Sequence, residues 1–129
     1  MNTDLLFVYG TLRRGAEHPM AALLAGAADW LGRACTQGRL LDLGEYPGLT
    51  VDSEGTVWGD CFRLHLEQTA SILKRLDRYE GLHDPTVPYR RVERSVLLED
   101  QTHFAWVYIY QGPVCGAEVI AGGDWLARD

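Results

Sequence analysis

The sequence predicts an α+β fold, on the strength of three features. Runs rich in β-branched and aromatic residues dominate the chain, at Leu5–Val8, Thr56–Leu64, Tyr89–Leu98 and His103–Tyr110. Only two stretches carry helical spacing, His18–Leu24 and Glu67–Tyr79. Strands and helices therefore do not alternate in the regular series that a doubly wound nucleotide-binding sheet requires. A chain of 129 residues fits one domain, residues 1–129, with enough apolar material to bury a core without a metal or disulfides.

Taken in order, the chain opens with a short apolar run, Leu5-Leu6-Phe7-Val8, that stops at Tyr9-Gly10. A buried strand ends there and the chain turns. His18–Leu24 carries Met20, Leu23 and Leu24 at helical spacing, with Gly26 as its stop. From Trp30 to Leu43 the pattern is mixed, and Arg39–Leu43 suits a strand entering a loop. Gly44–Gly48 and Asp52–Gly55 are turn clusters around a brief strand, Leu49–Val51. Thr56–Leu64 alternates, with Val57, Gly59, Cys61 and Arg63 on one face and Trp58, Asp60, Phe62 and Leu64 on the other. Both faces carry apolar groups, as in a curved sheet.

Glu67–Tyr79 is the clearest helix, acidic at its start, basic at Lys74, Arg75 and Arg78, with Gly81 just beyond. Its expected buried stripe is Ala70, Leu73, Leu76 and Tyr79, and no Ser, Thr, Asp or Asn stands at the obvious N-cap. Two prolines punctuate His83–Pro88. Tyr89–Leu98 and His103–Tyr110, joined through Glu99–Thr102, read as an antiparallel hairpin. The tail, Val114–Asp129, is expected to dock through Val119, Ile120, Trp125 and Leu126.

Composition bounds the partners. A formal charge of −6 argues against a general nucleic-acid or anionic-membrane surface, both of which are bound by clustered Lys and Arg. Cys35, Cys61 and Cys115 are an odd number with no Cys-x-x-Cys pair, so packed thiols in a reducing compartment are expected. Asp4 precedes a very short apolar run, with no basic leader and nothing long enough to cross a bilayer, which predicts a cytoplasmic protein. His18, His65, His83 and His103 are scattered, and Glu80 with His83-Asp84 lacks ligand spacing, so no metal is expected. Gly-x-Ser-x-Gly, Walker and Gly-x-Gly-x-x-Gly motifs are absent from the sequence, and no cofactor is expected.

Tyr9-Gly10-Thr11-Leu12 after an apolar strand, followed by Arg13, Arg14 and Gly15, resembles the opening motif of the gamma-glutamylcyclotransferase-like superfamily, most closely its gamma-glutamylamine cyclotransferase branch. Tyr46-Pro47-Gly48, Leu76-Asp77-Arg78-Tyr79-Glu80-Gly81, Tyr89-Arg90-Arg91-Val92 and Ala105–Tyr110 follow in the family's order along most of the chain. The ending Gly122-Gly123-Asp124-Trp125-Leu126 resembles that of a small bacterial branch. The resemblance implies a small mixed β-barrel with helices packed outside, a detail that periodicity does not supply.

Glu80 is the sharpest candidate for chemistry. It lies four residues after Leu76 and seven after Leu73, so a helix that persists to it turns a carboxylate onto the core-facing stripe. The helix dipole opposes negative charge at a C-terminus and so does desolvation. Both raise the carboxyl pKa, which suits a general base near neutrality. An exposed glutamate at a fraying end, paired with Arg78 or Arg90, is the competing reading. In the family that the resemblance names, the glutamate in the segment matching Leu76–Gly81 is the catalytic base, and Glu80 is the residue that fits it.

The glycine after the first strand leaves peptide N–H groups that can hold a carboxylate, a phosphate or a developing oxyanion, or it supplies positive φ to an ordinary turn. The resemblance places substrate at Tyr9, Gly10, Thr11 and Leu12. Arg13 and Arg14 are either partners for a substrate carboxylate or a solvated pair. Tyr89 and Tyr108 either line the pocket or pack with a hydrogen bond.

The reaction implied is closure of a gamma-glutamyl amine or peptide onto itself, giving 5-oxoproline and a free amine. The substrate holds both nucleophile and electrophile, and the protein's task is to curl it. A non-catalytic small-molecule-binding or regulatory domain on the same fold is the alternative, and the carboxylate at position 80 favours the enzyme. A purely structural interaction protein would instead show a closed pocket and an exposed apolar patch. The leaving amine and the oligomeric state are not specified by the sequence.

Overall fold

In the computed structural model, residues 3–10, 12–13, 19–44, 47–51, 54–82, 88–114 and 116–127 are described. The first strand, β1 (Leu5–Val8), is buried at every position. Alternation explains why. Leu5, Phe7 and Tyr9 join one apolar cluster with Val57, Cys61, Val107 and Ile109, whereas Leu6 and Val8 join another with Leu24, Phe62, Leu73, Leu76 and Tyr108. The first cluster fills the interior of a barrel; the second is the layer between the barrel wall and two helices.

The wall is built from β1, β2 (Ala28–Gln37), β5 (Thr56–Leu64), β6 (Tyr89–Leu98) and β7 (Gln101–Tyr110), closed in the order β1-β5-β2-β6-β7. β1 runs antiparallel to β5, with Val8 opposite Asp60, and parallel to β7, with Leu6 opposite Trp106. That parallel pair makes the barrel mixed. A register shift between Trp30 and Gly32 in the β2–β5 ladder bends β2, the kind of irregularity that lets a sheet curl to closure. β3 (Arg39–Asp42), β4 (Pro47–Thr50) and β8 (Glu118–Val119) form a separate sheet of order β4-β3-β8.

Several expectations are adjusted. α1 spans Pro19–Ala27 and runs through Gly26. Ala27 leads directly into β2, whose pairing with β5 ends the helix in place of the expected glycine stop. His18 lies outside the described residues. The mixed region after Trp30 is mostly one long strand, β2. In the hairpin, Glu99 and Asp100 take φ of 50° and 64°, a two-residue primed turn, so β7 begins at Gln101, earlier than expected. The strand at 49–51 is Pro47–Thr50.

α2 spans Thr69–Glu80, preceded by a 3-10 turn at Leu66–Gln68, and its N-cap Gln68 makes no side-chain capping bond. Ile72, Leu73 and Leu76 are its buried residues. Ala70 and Tyr79, expected in the stripe, fall to its edges and are exposed. Gly81 ends the helix at φ 86°, and Leu82 N–H bonds to the Asp77 carbonyl at 2.9 Å. This left-handed cap keeps Glu80 helical to the last residue.

In the tail, Trp125 is buried in the barrel cluster and Ile120 packs against it, while Val119 and Leu126 are exposed. Cys61 is buried, its thiol pushed up to about 11 by desolvation; Cys35 is half-buried, and Cys115 lies outside the described residues. Among the described residues no helix is long and apolar enough to cross a membrane.

Candidate functional site

Where β1 ends, the wall leaves a cavity of about 260 Å³. That is near the small end of ligand pockets, roughly 300 to 1,000 Å³, and suits an amino-acid-sized group better than a nucleotide. Tyr9, Gly10 and Leu12 line it from the end of β1, Pro47 from β4, Glu80 from the C-terminus of α2, and Tyr89 and Tyr108 from β6 and β7. Residues 71 positions apart in sequence, Tyr9 and Glu80, thus face one space because α2 packs its Leu76 side against the outer face of β1. Thr11 lies outside the described residues.

Gly10 is not one of the positive-φ glycines. Its lack of a side chain matters for space: a Cβ there would stand 2.8 Å from Pro47 Cγ. The open alternative of a glycine needed for positive φ is thereby replaced by one needed for close approach to the cavity wall.

Three of the phenols around the cavity, those of Tyr9, Tyr89 and Tyr108, have their protons committed. Tyr9 Oη donates to the Tyr108 carbonyl and accepts from Leu49 N–H at 3.3 Å. Tyr89 Oη donates to the Pro47 carbonyl at 2.8 Å, and Tyr108 Oη donates to Asp77 Oδ1 at 2.7 Å. Asp77 in turn receives both Nε and Nη2 of Arg91, at 2.7 and 3.0 Å, and that guanidinium lies over the Trp106 ring at 4.3 Å. Having given its hydrogen to Asp77, the Tyr108 hydroxyl offers a ligand only lone pairs. This side of the cavity is therefore built to receive N–H groups.

Glu80 is half-buried, and among the described residues no salt bridge holds its carboxylate. Desolvation first, and the neighbouring Asp77 charge second, raise its pKa to about 7. It is thus poised to take up or release a proton near neutrality. Burial likewise raises the Tyr9 and Tyr108 phenols, with the nearby carboxylates acting in the same sense, so both stay protonated.

Arg13 does not line this cavity. Its guanidinium is buried against Asp60 and Asp124, so it is neither a ligand for a substrate carboxylate nor solvated. Arg14 lies outside the described residues. Tyr89 and Tyr108, left open by the sequence, do face the cavity. Sequence reasoning assigns Asp77, Arg91 and Pro47 no part in the site, although Asp77 carries a signal, since it stands three residues before Glu80 and so neighbours it on the helix surface. Among the described residues no three His, Cys, Asp or Glu side chains converge to hold a metal ion.

A family profile described as gamma-glutamyl cyclotransferase, AIG2-like matches residues 6–127. The gamma-glutamylcyclotransferase family protein YtfP of Escherichia coli (strain K12) is 35% identical over 127 residues, covering 96% of this chain and 97% of that protein. The solution NMR structure of Escherichia coli ytfP superposes with a TM-score of 0.66 at 31% identity, covering 95% of this chain and 96% of that one. Gamma-L-glutamyl-butirosin B gamma-glutamyl cyclotransferase of Niallia circulans is 34% identical over 106 residues, 81% of this chain and 65% of that protein. With a matching profile over nearly its whole length and relatives of the same fold, the chain belongs to the gamma-glutamyl cyclotransferase, AIG2-like family.

Proposed function

We propose that this protein converts a gamma-glutamyl amine or peptide to 5-oxoproline and the free amine, with Glu80 as general base. The observation that carries the reading is a carboxyl group with pKa raised to about 7, facing the same small cavity as the Gly10 and Leu12 loop. The substrate's α-amine is an ammonium at neutral pH, and Glu80 accepts its proton. The freed nitrogen attacks the γ-carbonyl carbon and the five-membered lactam closes. The bond from that carbon to the leaving nitrogen breaks as the protonated Glu80 returns its proton there, and the regenerated carboxylate takes the second proton from the ring nitrogen and passes it to the free amine, which departs as an ammonium. Atoms and charges balance without an outside reagent.

Positioning does much of the work. Curling an extended glutamyl arm until its amine meets its own carbonyl is an entropic task that a snug cavity performs in advance, worth roughly several kcal/mol of the barrier. The Tyr108 oxygen, able only to accept, suits the ammonium end near Glu80. The loop N–H groups at Gly10 to Leu12 suit the carboxylate or the developing oxyanion. The Niallia circulans relative is named for a gamma-L-glutamyl group carried on butirosin B. The reading for this chain is likewise a cavity that holds the glutamyl arm and leaves the amine portion at the mouth, where exposed Tyr79 stands.

The test is a panel of gamma-glutamyl amines and peptides incubated with the purified protein, without added metal or nucleotide, and assayed for 5-oxoproline. Stoichiometric 5-oxoproline and free amine from at least one compound are expected. Saturable binding of gamma-glutamyl compounds with no turnover of any would replace the enzyme with a binding domain.

A further inference from the structure

Arg13 ends the turn that carries the candidate substrate loop, and its N–H donates to the Gly10 carbonyl at 3.1 Å. Its side chain enters a buried ion cluster. Nε meets Asp60 Oδ2 of β5 at 3.2 Å and Nη1 meets Asp124 Oδ1 of the tail, with the three side chains only 8, 7 and 14% exposed. Each aspartate has further partners: Trp30 Nε1 donates to Asp60 Oδ1 at 3.1 Å, and Arg33 Nη2 donates to Asp124 Oδ2 at 3.1 Å while stacking over Trp58. The two aspartates are thereby balanced by two arginines. Burial alone would raise the Asp124 carboxyl, but Arg13 and Arg33 outweigh it and hold it below the usual range, so it stays charged at neutral pH.

Asp124 itself is fixed by its neighbours. The Gly123 carbonyl accepts from Trp58 N–H at 2.7 Å, and Trp125 fills the barrel core. Gly123 adopts φ +67°, and a Cβ there would stand 1.8 Å from the Thr56 carbonyl oxygen, so only glycine lets the tail lie this close to β5. A point 111 residues downstream of Arg13 is thus held rigidly against the barrel wall.

For stability alone, a buried ion cluster is a poor filler, since well-packed apolar groups of similar volume commonly serve as well or better. What it adds is direction. A guanidinium gripped by two fixed carboxylates has one orientation, and its backbone inherits it. We propose that Asp124 and Asp60, acting through Arg13, are positioning residues that set the aim of the backbone at Gly10 and Leu12 toward its ligand without touching that ligand. This rests on the cyclotransferase reading for its catalytic consequence, though not for its structural one.

The test compares Asp124→Asn, Asp124→Glu and Val96→Ala, the last a barrel-core truncation on β6 that removes none of the charged groups of the ion cluster and serves as the stability control. Amide hydrogen exchange, steady-state kinetics and unfolding are measured on each, well below the melting temperature. In Asp124→Asn the Arg13 amide is expected to exchange at least tenfold faster than in Val96→Ala, after normalising to β5 amides such as Phe62. The value of kcat/KM is expected to fall tenfold or more with the apparent pKa near 7 unmoved, and Asp124→Glu is expected to recover much of the loss. Exchange and kcat/KM that match Val96→Ala at equal stability would overturn the proposal, and so would faster loop exchange with unaltered kcat/KM. If the wild-type protein turns over no gamma-glutamyl compound, the cyclotransferase reading fails, and loop exchange alone decides whether Asp124 positions the loop.

Discussion

Tyr108 and Asp77 share a 2.7 Å hydrogen bond in which the phenol is the donor, and this bond ties the cavity wall to the helix that carries Glu80. Asp77 stands one helical turn before Glu80 and contributes to the raised pKa of that residue, after desolvation. The same Asp77 carboxylate is neutralised from behind by Arg91. A single side chain therefore orients Tyr108, fixes Arg91 and biases the proton affinity of Glu80.

Asp77→Asn should lower the Glu80 pKa. Removing the negative neighbour takes away a contribution that raises it, and leaving the Arg91 cation unpaired acts in the same direction. The acid limb of the pH profile of kcat/KM should move to lower pH, by less than the total shift because burial remains. Stability should fall by roughly 1–3 kcal/mol as the charge-assisted bonds to Arg91 and Tyr108 weaken. A pH profile that stays in place, or moves to higher pH, would rule out this electrostatic coupling.

Glu80→Gln keeps the size of the side chain and removes its proton-accepting charge. Turnover should drop about 100-fold or more, the usual effect of losing a general acid–base group, while calorimetry should still detect binding of gamma-glutamyl ligands. Full turnover by this variant would exclude Glu80 as the base.

The same variant tests the pKa through stability. The carboxyl is raised from 4.5 to about 7 in the folded protein, so between those values the native state binds more protons than the unfolded state. Stability due to Glu80 is then greatest below pH 4.5 and is lost as pH rises toward 7. The Gln variant has no such loss. Its advantage over wild type should be smallest in acid and grow to at most about 3 kcal/mol above neutrality. Denaturant unfolding of both proteins across this range measures it, and a constant difference would contradict the raised pKa.

Gly10→Ala should narrow the cavity. The added methyl would stand 2.8 and 3.0 Å from Pro47 Cγ and Cδ, and a proline ring has little freedom to yield. Overpacking of this kind costs roughly 1–3 kcal/mol of stability. Ligand affinity should weaken beyond what the stability loss explains, because Pro47 is itself a wall of the cavity. Unchanged affinity for gamma-glutamyl ligands would show that the close contact does not shape the site.

What the sequence determined by itself is what depends on near neighbours. β1 and its abrupt end, the Thr56–Leu64 strand with two apolar faces, the β6–β7 hairpin and the direction of Glu80 all follow from periods of two or 3.6 and from glycine punctuation, signals written within a dozen residues. The opening motif and the order of later segments added the family and its barrel. Tertiary structure alone decided the rest. Ala28–Gln37 has no clean alternation because its ladder to β5 slips between Trp30 and Gly32, and β6 joins as a second neighbour only at Ala34 and Cys35. Ala70 and Tyr79 lost their expected burial because the packing of α2 on β1 selects its own stripe. Arg13 stands open in the sequence between a partner for a substrate carboxylate and one of a solvated pair, yet Asp60 and Asp124, far along the chain, bury it. Such contacts join residues that local periodicity cannot relate, so their energies appear only when the barrel closes and brings its wall, its loop and its tail together.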